Sequence, residues 1–155
     1  MDLDRQQLID NIRIAIADAN SATDVLRAAA ELIDRFSDGY NWTGFYLLRG
    51  NHLEVGPYVG PKTAHTKIEL NRGICGAAAS ARKTIRVDDV LSDPRFLACS
   101  VSTRSEIVVP LIDGEACFGE IDIDSDLPSF FTTQDQEMLE KVAEVVVNRL
   151  KQLGR

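Results

Sequence analysis

The feature that most constrains this chain is a change in the period of its apolar residues: two helical stripes, a long run of alternation, then a third helical stripe. From Arg5 to Ala19 the apolar residues Leu8, Ile9, Ile12 and Ile16 recur at helical spacing, which places them on one face of an amphipathic helix. A second stripe, Val25, Leu26, Ala29, Leu32, Ile33 and Phe36, follows Ser21-Ala22-Thr23-Asp24 and ends at Asp38-Gly39. That opening reads as a capping box with Asp in place of the usual Glu. The third stripe, Met138, Leu139, Val142, Ala143, Val146 and Leu150, starts at Thr133, which with Gln136 reads as a second capping box. Three helices with one apolar face each need a common surface against which to bury it.

The middle of the chain supplies that surface. Asn41 to Leu48 and Leu53 to Val59 read as strands joined at Arg49-Gly50-Asn51, with Gly56-Pro57 and Gly60-Pro61 expected to break the second. Lys67 to Leu70 forms a third strand, Asn71 to Gly76 opens an Ala-rich helix over Ala77 to Arg82, and Thr84 to Val87 is a brief strand. Glu106 to Ile112 and Ala116 to Asp124 make a last hairpin about Asp113-Gly114. Asp88 to Thr103 is a long loop, of a length that in a compact domain is often functional. The expected fold class is α+β: one domain over residues 1–155, with a central antiparallel sheet. The first two helices and the last cover one face of that sheet, and loops roof a pocket on the other.

Charge and composition exclude several functions. The net charge is −7 with no basic run, which disfavours nucleic acid and anionic membrane. No stretch approaches the roughly 20 apolar residues that cross a bilayer. The acidic start Met1-Asp2-Leu3-Asp4-Arg5 is not a signal peptide, so a cytoplasmic location is the default expectation. The chain reads as self-standing, with no output domain beside it. Three cysteines, Cys75, Cys99 and Cys117, are too few and too unevenly spaced for a disulfide framework. There is no CxxC and histidine is scarce, so no metal or cofactor is expected; thiol chemistry stays open.

Several side chains are placed for chemistry. Along Glu120-Ile121-Asp122-Ile123-Asp124-Ser125 the alternation puts Asp122 and Asp124 on one face and Ile121 and Ile123 on the other. Two aspartates so placed either sit at an exposed strand end or repel across a space that water, a cation or a ligand fills. Trp42, Gly44 and Tyr46 share a strand face, which fits either core packing or a ligand wall. Gly73 and Gly76 bracket Cys75 just before a helix, where the helix dipole favours thiolate, although buried free cysteines are commonly inert. Cys117 has the parity of Ile121 and Ile123 and is read as core. Cys99 and Glu106 flank a polar loop that runs directly into the apolar strand ending at Pro110.

Five motifs stand in order: Asn41-Trp42-Thr43-Gly44-Phe45-Tyr46, Gly73-Ile74-Cys75-Gly76, Leu97-Ala98-Cys99, Ser105-Glu106-Ile107-Val108-Val109-Pro110 and Asp122-Ile123-Asp124-Ser125. Together they resemble the free methionine-(R)-sulfoxide reductase branch of GAF domains, from about Asn41 to the final helix. The resemblance implies that Cys99 and Cys75 serve catalysis, and that Glu106, Asp122, Asp124, Trp42 and Tyr46 line the substrate pocket. It also implies a thioredoxin-type reductant as partner. Two departures stand out. His65 occupies the position, ten residues before Cys75, where the family commonly has a third cysteine, and Asp93-Pro94-Arg95-Phe96-Leu97 replaces a usual Gly-His pair. Either Cys75 resolves the oxidised enzyme, or the domain binds and senses a small molecule without catalysis.

The residues permit a mechanism. Reduction of a sulfoxide needs a thiolate to attack sulfur and an acid to protonate the departing oxygen. Cys99 is the candidate nucleophile, and close like charges among Glu106, Asp122 and Asp124 would leave one of them protonated. Resolution as a disulfide requires Cys75 within about 7 Å of it, Cα to Cα. Ile14 on the first helix, with Val145 and Val147 on the last, lies beside the main stripes and suggests a homodimer through the terminal helices.

Overall fold

The computed structural model describes residues 1–97 and 101–154. The starting signals in the sequence become helix caps. Asp2 caps α1 (Leu3–Ala17) by accepting the Arg5 N–H at 2.9 Å, and the Ser21 hydroxyl caps α2 (Ala22–Phe36) by accepting that of Asp24 at 3.1 Å. There follow β1 (Trp42–Arg49), β2 (His52–Val59), β3 (Lys67–Glu69), α3 (Gly73–Ala81), β4 (Ile85–Val87), a 3-10 turn (Val90–Ser92), β5 (Ser105–Asp113), β6 (Ala116–Ser125) and α4 (Thr133–Gln152). The strands form one sheet in the order β3-β2-β1-β6-β5-β4, with every neighbouring pair antiparallel.

The sheet has two buried faces. Phe45, Ile107, Ile121 and Ile123 point to the side where α2 and α4 lie, and α1 packs in turn against both helices. The helical stripes supply Ile12, Ile16, Leu26, Ile33, Met138 and Leu139, each essentially without solvent contact; burying a side chain of this size contributes roughly 1.5–3 kcal/mol. On the opposite face Trp42, Tyr46 and Val108 pack beneath Ile74, Cys75, Ala78 and Ala79 of α3. The α+β architecture is as expected, except that the second face is covered by a helix as well as by loops.

Four local expectations are corrected. The box that opens α4 is Thr132 with Asp135, one residue earlier than Thr133 with Gln136: Thr132 Oγ1 accepts the Asp135 N–H at 3.1 Å, and Asp135 Oδ2 accepts the Thr132 N–H at 2.9 Å. Asp135 is fixed there because its other oxygen takes Arg5 at 2.7 Å and the Tyr40 hydroxyl at 3.1 Å. β2 is not broken at Gly56-Pro57. Gly44 pairs with Tyr58 and Tyr46 with Val55, so two residues bulge opposite Phe45 and a proline without an N–H is tolerated. A second shift lies in the last hairpin, where Leu111 pairs with Gly119 but Ile112 with Cys117. The extra residue, Phe118, takes the place on the helix-side core that unbroken alternation assigns to Cys117, which is half-exposed. Val147 is 3% exposed and belongs to the core, so it adds nothing to an outer apolar face.

Candidate functional site

Strand register assembles the site. β6 lies between β1 and β5, and its residues pair across both: Trp42, Asp124 and Glu106 stand in one row, Gly44, Asp122 and Val108 in the next, Tyr46, Glu120 and Pro110 in the third. Directly opposed residues point to the same face, about 5 Å apart. One face of the sheet therefore carries Glu106, Glu120, Asp122 and Asp124, exposed by 6%, 0%, 2% and 3%. The exposed-strand-end reading of Asp122 and Asp124 is thereby excluded.

The aromatic wall depends on one glycine. Trp42 stacks on Tyr58 at 4.9 Å between ring centroids and on Tyr46 at 6.1 Å. A Cβ on Gly44 would lie 2.4 Å from the Cβ of Tyr58 and 2.8 Å from the Trp42 ring, so the stack requires glycine there. The Trp42 indole N–H donates to the Pro61 carbonyl at 3.1 Å, and the Tyr46 hydroxyl to that of His65 at 2.8 Å. The half-buried His65 thus anchors the β2–β3 loop over the site through its backbone.

α3 brings the thiol. Gly73 opens the helix at φ +70°, a conformation that favours glycine, and a Cβ there would meet Leu97 at 2.9 Å. Cys75 follows in the first turn, 5% exposed. Its Sγ, one oxygen of Glu106 and one of Asp122 all lie within 4.8 Å of one another. That closeness suits a small cationic group. Of the two readings open for Cys75, thiolate at a helix terminus or buried neutral thiol, the environment favours the second. Burial first, then the charges of Asp122 and Glu120, push its pKa well above the usual thiol value, and one helix terminus does not offset them.

The carboxyl groups are unequal. Burial, then the charges of Asp122 and Asp124, hold Glu106 well above the ordinary carboxylate range. Asp124 is pushed well up by burial and by Asp122. Asp122 is raised by burial, but hydrogen bonding from Glu106 and Cys75 favours its charged form. The set therefore contains neutral acids beside a carboxylate, as close like charges dictate. Among the described residues, one oxygen each of Asp122 and Asp124 and both oxygens of Glu120 are buried without a hydrogen-bond partner. Glu120 was not among the residues expected here, although it shares the parity of Asp122 and Asp124.

Two small cavities open on the set. One of about 50 Å³ lies between Trp42, Pro61, Thr63, Thr103 and Asp124, and one of about 10 Å³ between Tyr46, Ile74, Cys75, Leu97, Glu106 and Asp122. The structure brings together Trp42, Tyr46, Cys75, Glu106, Asp122 and Asp124; Cys99 lies outside the described residues. Cys117 stands apart from this face, its thiol directed to the Gly119 carbonyl at 3.4 Å.

A six-stranded antiparallel sheet with three helices behind it, and a helix and loops over a closed polar site, is the arrangement of a small-molecule-binding domain of the GAF class. The GAF domain profile matches residues 8–150, and the chain belongs to that family. It is 38% identical over 114 residues to a free methionine-R-sulfoxide reductase of Escherichia coli, covering 74% of this chain and 68% of that protein. It is 42% identical over 110 residues to the reductase of the same name from Saccharomyces cerevisiae, covering 68% of this chain and 61% of that protein. The solved structure of the free methionine-R-sulfoxide reductase of Neisseria meningitidis, in complex with its substrate, has a TM-score of 0.91 at 32% identity, covering 97% of this chain and 92% of that one. The branch of the family expected from the ordered motifs is the branch these proteins occupy. Among the described residues no helix is long and apolar enough to cross a membrane.

Proposed function

We propose that this chain reduces free methionine-(R)-sulfoxide to methionine, with Cys99 as nucleophile and Cys75 as resolving thiol. The observation that carries the reading is the buried carboxyl set gathered beside the Cys75 thiol and the Trp42 and Tyr46 rings on one sheet face. A free amino acid brings an ammonium group, and a buried set of carboxyl groups in which one oxygen each of Asp122 and Asp124 lacks a hydrogen-bond partner among the described residues is an environment that binds one. Asp122 and Asp124 hold that ammonium group. Trp42 and Tyr46 cover the S-methyl end by dispersion and sulfur–aromatic contact.

Glu106 is the acid. Held neutral by burial and its neighbours, it can protonate the sulfoxide oxygen while the Cys99 sulfur attacks the substrate sulfur. The oxygen then passes from the substrate sulfur to the Cys99 sulfur: the S–O bond and the transient S–S bond break, the S–S electron pair stays on methionine as the thioether leaves, and Cys99 is left as the sulfenic acid. Cys75 then forms a disulfide with Cys99, and a thioredoxin-type dithiol returns both to thiols. Such a cycle belongs in a reducing compartment, which agrees with a cytoplasmic location.

Turnover of the resolved sulfoxide epimers with a thiol reductant tests the reading. The R epimer of the free amino acid is reduced, Cys99→Ser abolishes the reaction, and Cys75→Ser releases about one equivalent of product per chain and then stalls. A wild-type chain inert to both epimers but stabilised against heat by another small molecule would establish the sensing role, the reading that His65 in place of a third cysteine favours.

A further inference from the structure

Cys75, Glu106 and Asp122 converge from α3, β5 and β6, and their closeness has a use that sulfoxide reduction does not require. The Cys75 sulfur and one oxygen of each carboxyl group all lie within 4.8 Å of one another, and all three side chains are buried. Two separate observations mark the spot as a place for a guest. The three side chains line one cavity of about 10 Å³, the room of a single water-sized atom. Asp122, 2% exposed, also keeps one oxygen without a hydrogen-bond partner among the described residues, a cost that a ligand would remove. The charge around it is one-sided. Glu120 and Asp124 stand two positions to either side of Asp122 on β6. Among the described residues, no lysine or arginine forms an ion pair with any of the four carboxyl groups.

We propose that Cys75, Glu106 and Asp122 bind one thiophilic divalent cation of the Zn²⁺ type. Zn²⁺ takes sulfur at about 2.3 Å and carboxylate oxygen at about 2.0–2.2 Å. At tetrahedral angles such ligand atoms stand about 3.5 Å apart, so these three close by at most about 1.3 Å, within reach of side-chain rotation. Three protein ligands leave a fourth position for water, the arrangement of an exchangeable ion rather than a structural one. The thiolate selects against Mg²⁺ and Ca²⁺, which take oxygen ligands in larger shells. As the ion enters, the Cys75 S–H bond breaks, its electron pair is donated to the metal, and the proton leaves to solvent; nothing is oxidised or reduced. No CxxC pair or histidine cluster announces the site in the sequence, because its ligands come from three separate elements. On the reading that Asp122 holds the substrate ammonium group, the cation and the sulfoxide exclude one another; that clause rests on the proposed function, and the cation site does not.

The test uses the full chain with Cys99→Ser and Cys117→Ser, in which Cys75 is the remaining thiol and turnover is abolished. Titrated with Zn²⁺ or Cd²⁺ alone, it binds one equivalent and its melting temperature rises. Cd²⁺ adds the ultraviolet charge-transfer band of a cadmium–thiolate bond, and Mg²⁺ or Ca²⁺ at the same concentration changes neither readout. Glu106→Gln and Asp122→Asn each weaken Zn²⁺ uptake by more than the roughly 10–100-fold that an outer-shell partner costs. His52→Ala, at the exposed His52–Glu54 pair, leaves uptake unchanged. An affinity untouched by both carboxyl variants, or lost in His52→Ala, overturns the inference. So does a titration without the Cd²⁺ band, which is read with both carboxyl groups in place and stands even if the variants fail to fold. Methionine-(R)-sulfoxide raises the apparent Kd for Zn²⁺ in proportion to its concentration. A sulfoxide that binds without displacing the ion overturns the mutual exclusion. A chain that takes the ion here but does not bind the sulfoxide overturns the reductase reading and leaves the cation site in place.

Discussion

Each carboxyl group of the site is more easily protonated in the fold than in the open chain, and this sets the pH dependence of stability. Glu106, Glu120, Asp122 and Asp124 all have raised pKa values, with burial as the leading cause. For such groups the folded state binds more protons than the unfolded state above about pH 4. Their contribution is intact below that value and is lost as pH rises through the raised folded pKa. Asp124→Asn should therefore stabilise the ligand-free chain relative to the wild type. The gain is small at pH 5, larger at pH 8, and about 1.4 kcal/mol for each unit by which the fold raises that pKa. Thermal melts at the two values check it, and an equal gain at both would contradict it. Cys117→Ser offers a contrast. The thiol is half-exposed and not in the core, so the change should stay within about 0.5 kcal/mol in urea unfolding and leave turnover intact. Alternation alone places Cys117 with Ile121 and Ile123. The displacement comes from the bulge at Phe118, which pairing with β5 imposes.

Among the secondary-structure elements, the start of α4 is the most heavily tied. Asp135, 4% exposed, joins two helices and a connecting segment: it caps its own helix with Thr132, accepts Arg5 from α1, and takes the Tyr40 hydroxyl from the segment before β1. Asp135→Ala removes the cap, leaves Arg5 with Asp2 as its remaining carboxylate partner and strands the buried Tyr40 phenol. The expected loss is about 2 kcal/mol, beyond the ~1 kcal/mol of a cap alone. Denaturant unfolding of Asp135→Ala beside Thr132→Ala checks the difference, and equal costs would show the α1 and Tyr40 ties to be idle. The helices themselves were legible because their stripes are long and strictly periodic. The box was misplaced by one residue because Thr132 and Thr133 both fit the pattern, and only the bonds to Arg5 and Tyr40 choose Asp135 as the partner. The proline in β2 misled for a related reason, since a bulge opposite Phe45 frees the position from the need for an N–H.

At the scale of the whole molecule we propose a homodimer that docks through the outer surface of α1 and α4. Ile14 is 70% exposed, and a groove of about 370 Å³ lies between Arg13, Ile16 and Ala17 of α1 and Val145, Asn148 and Arg149 of α4. Sedimentation should show a homodimer at micromolar concentration, and Ile14→Asp should convert it to a monomer whose melting temperature is lower and no longer depends on protein concentration. A wild-type monomer at that concentration would end the proposal. The apolar case for this surface rests on Ile14 and Val145, since Val147 is spent on the core.

By itself the sequence determined the kinds of element and the faces of the strands, because a helix and a strand each impose their own period on apolar residues. It determined that Trp42 and Tyr46 share a face, that Asp122 and Asp124 share a face, and that Glu106 lies at the mouth of an apolar strand. Those relations hold within one strand and need no partner. Only the tertiary structure decided that these faces are the same face, since that follows from how β6 registers against β1 and β5. It alone buried all four carboxyl groups and set Cys75 over them as a thiol, because desolvation and like charges act through space and outweigh the helix terminus that sequence reveals.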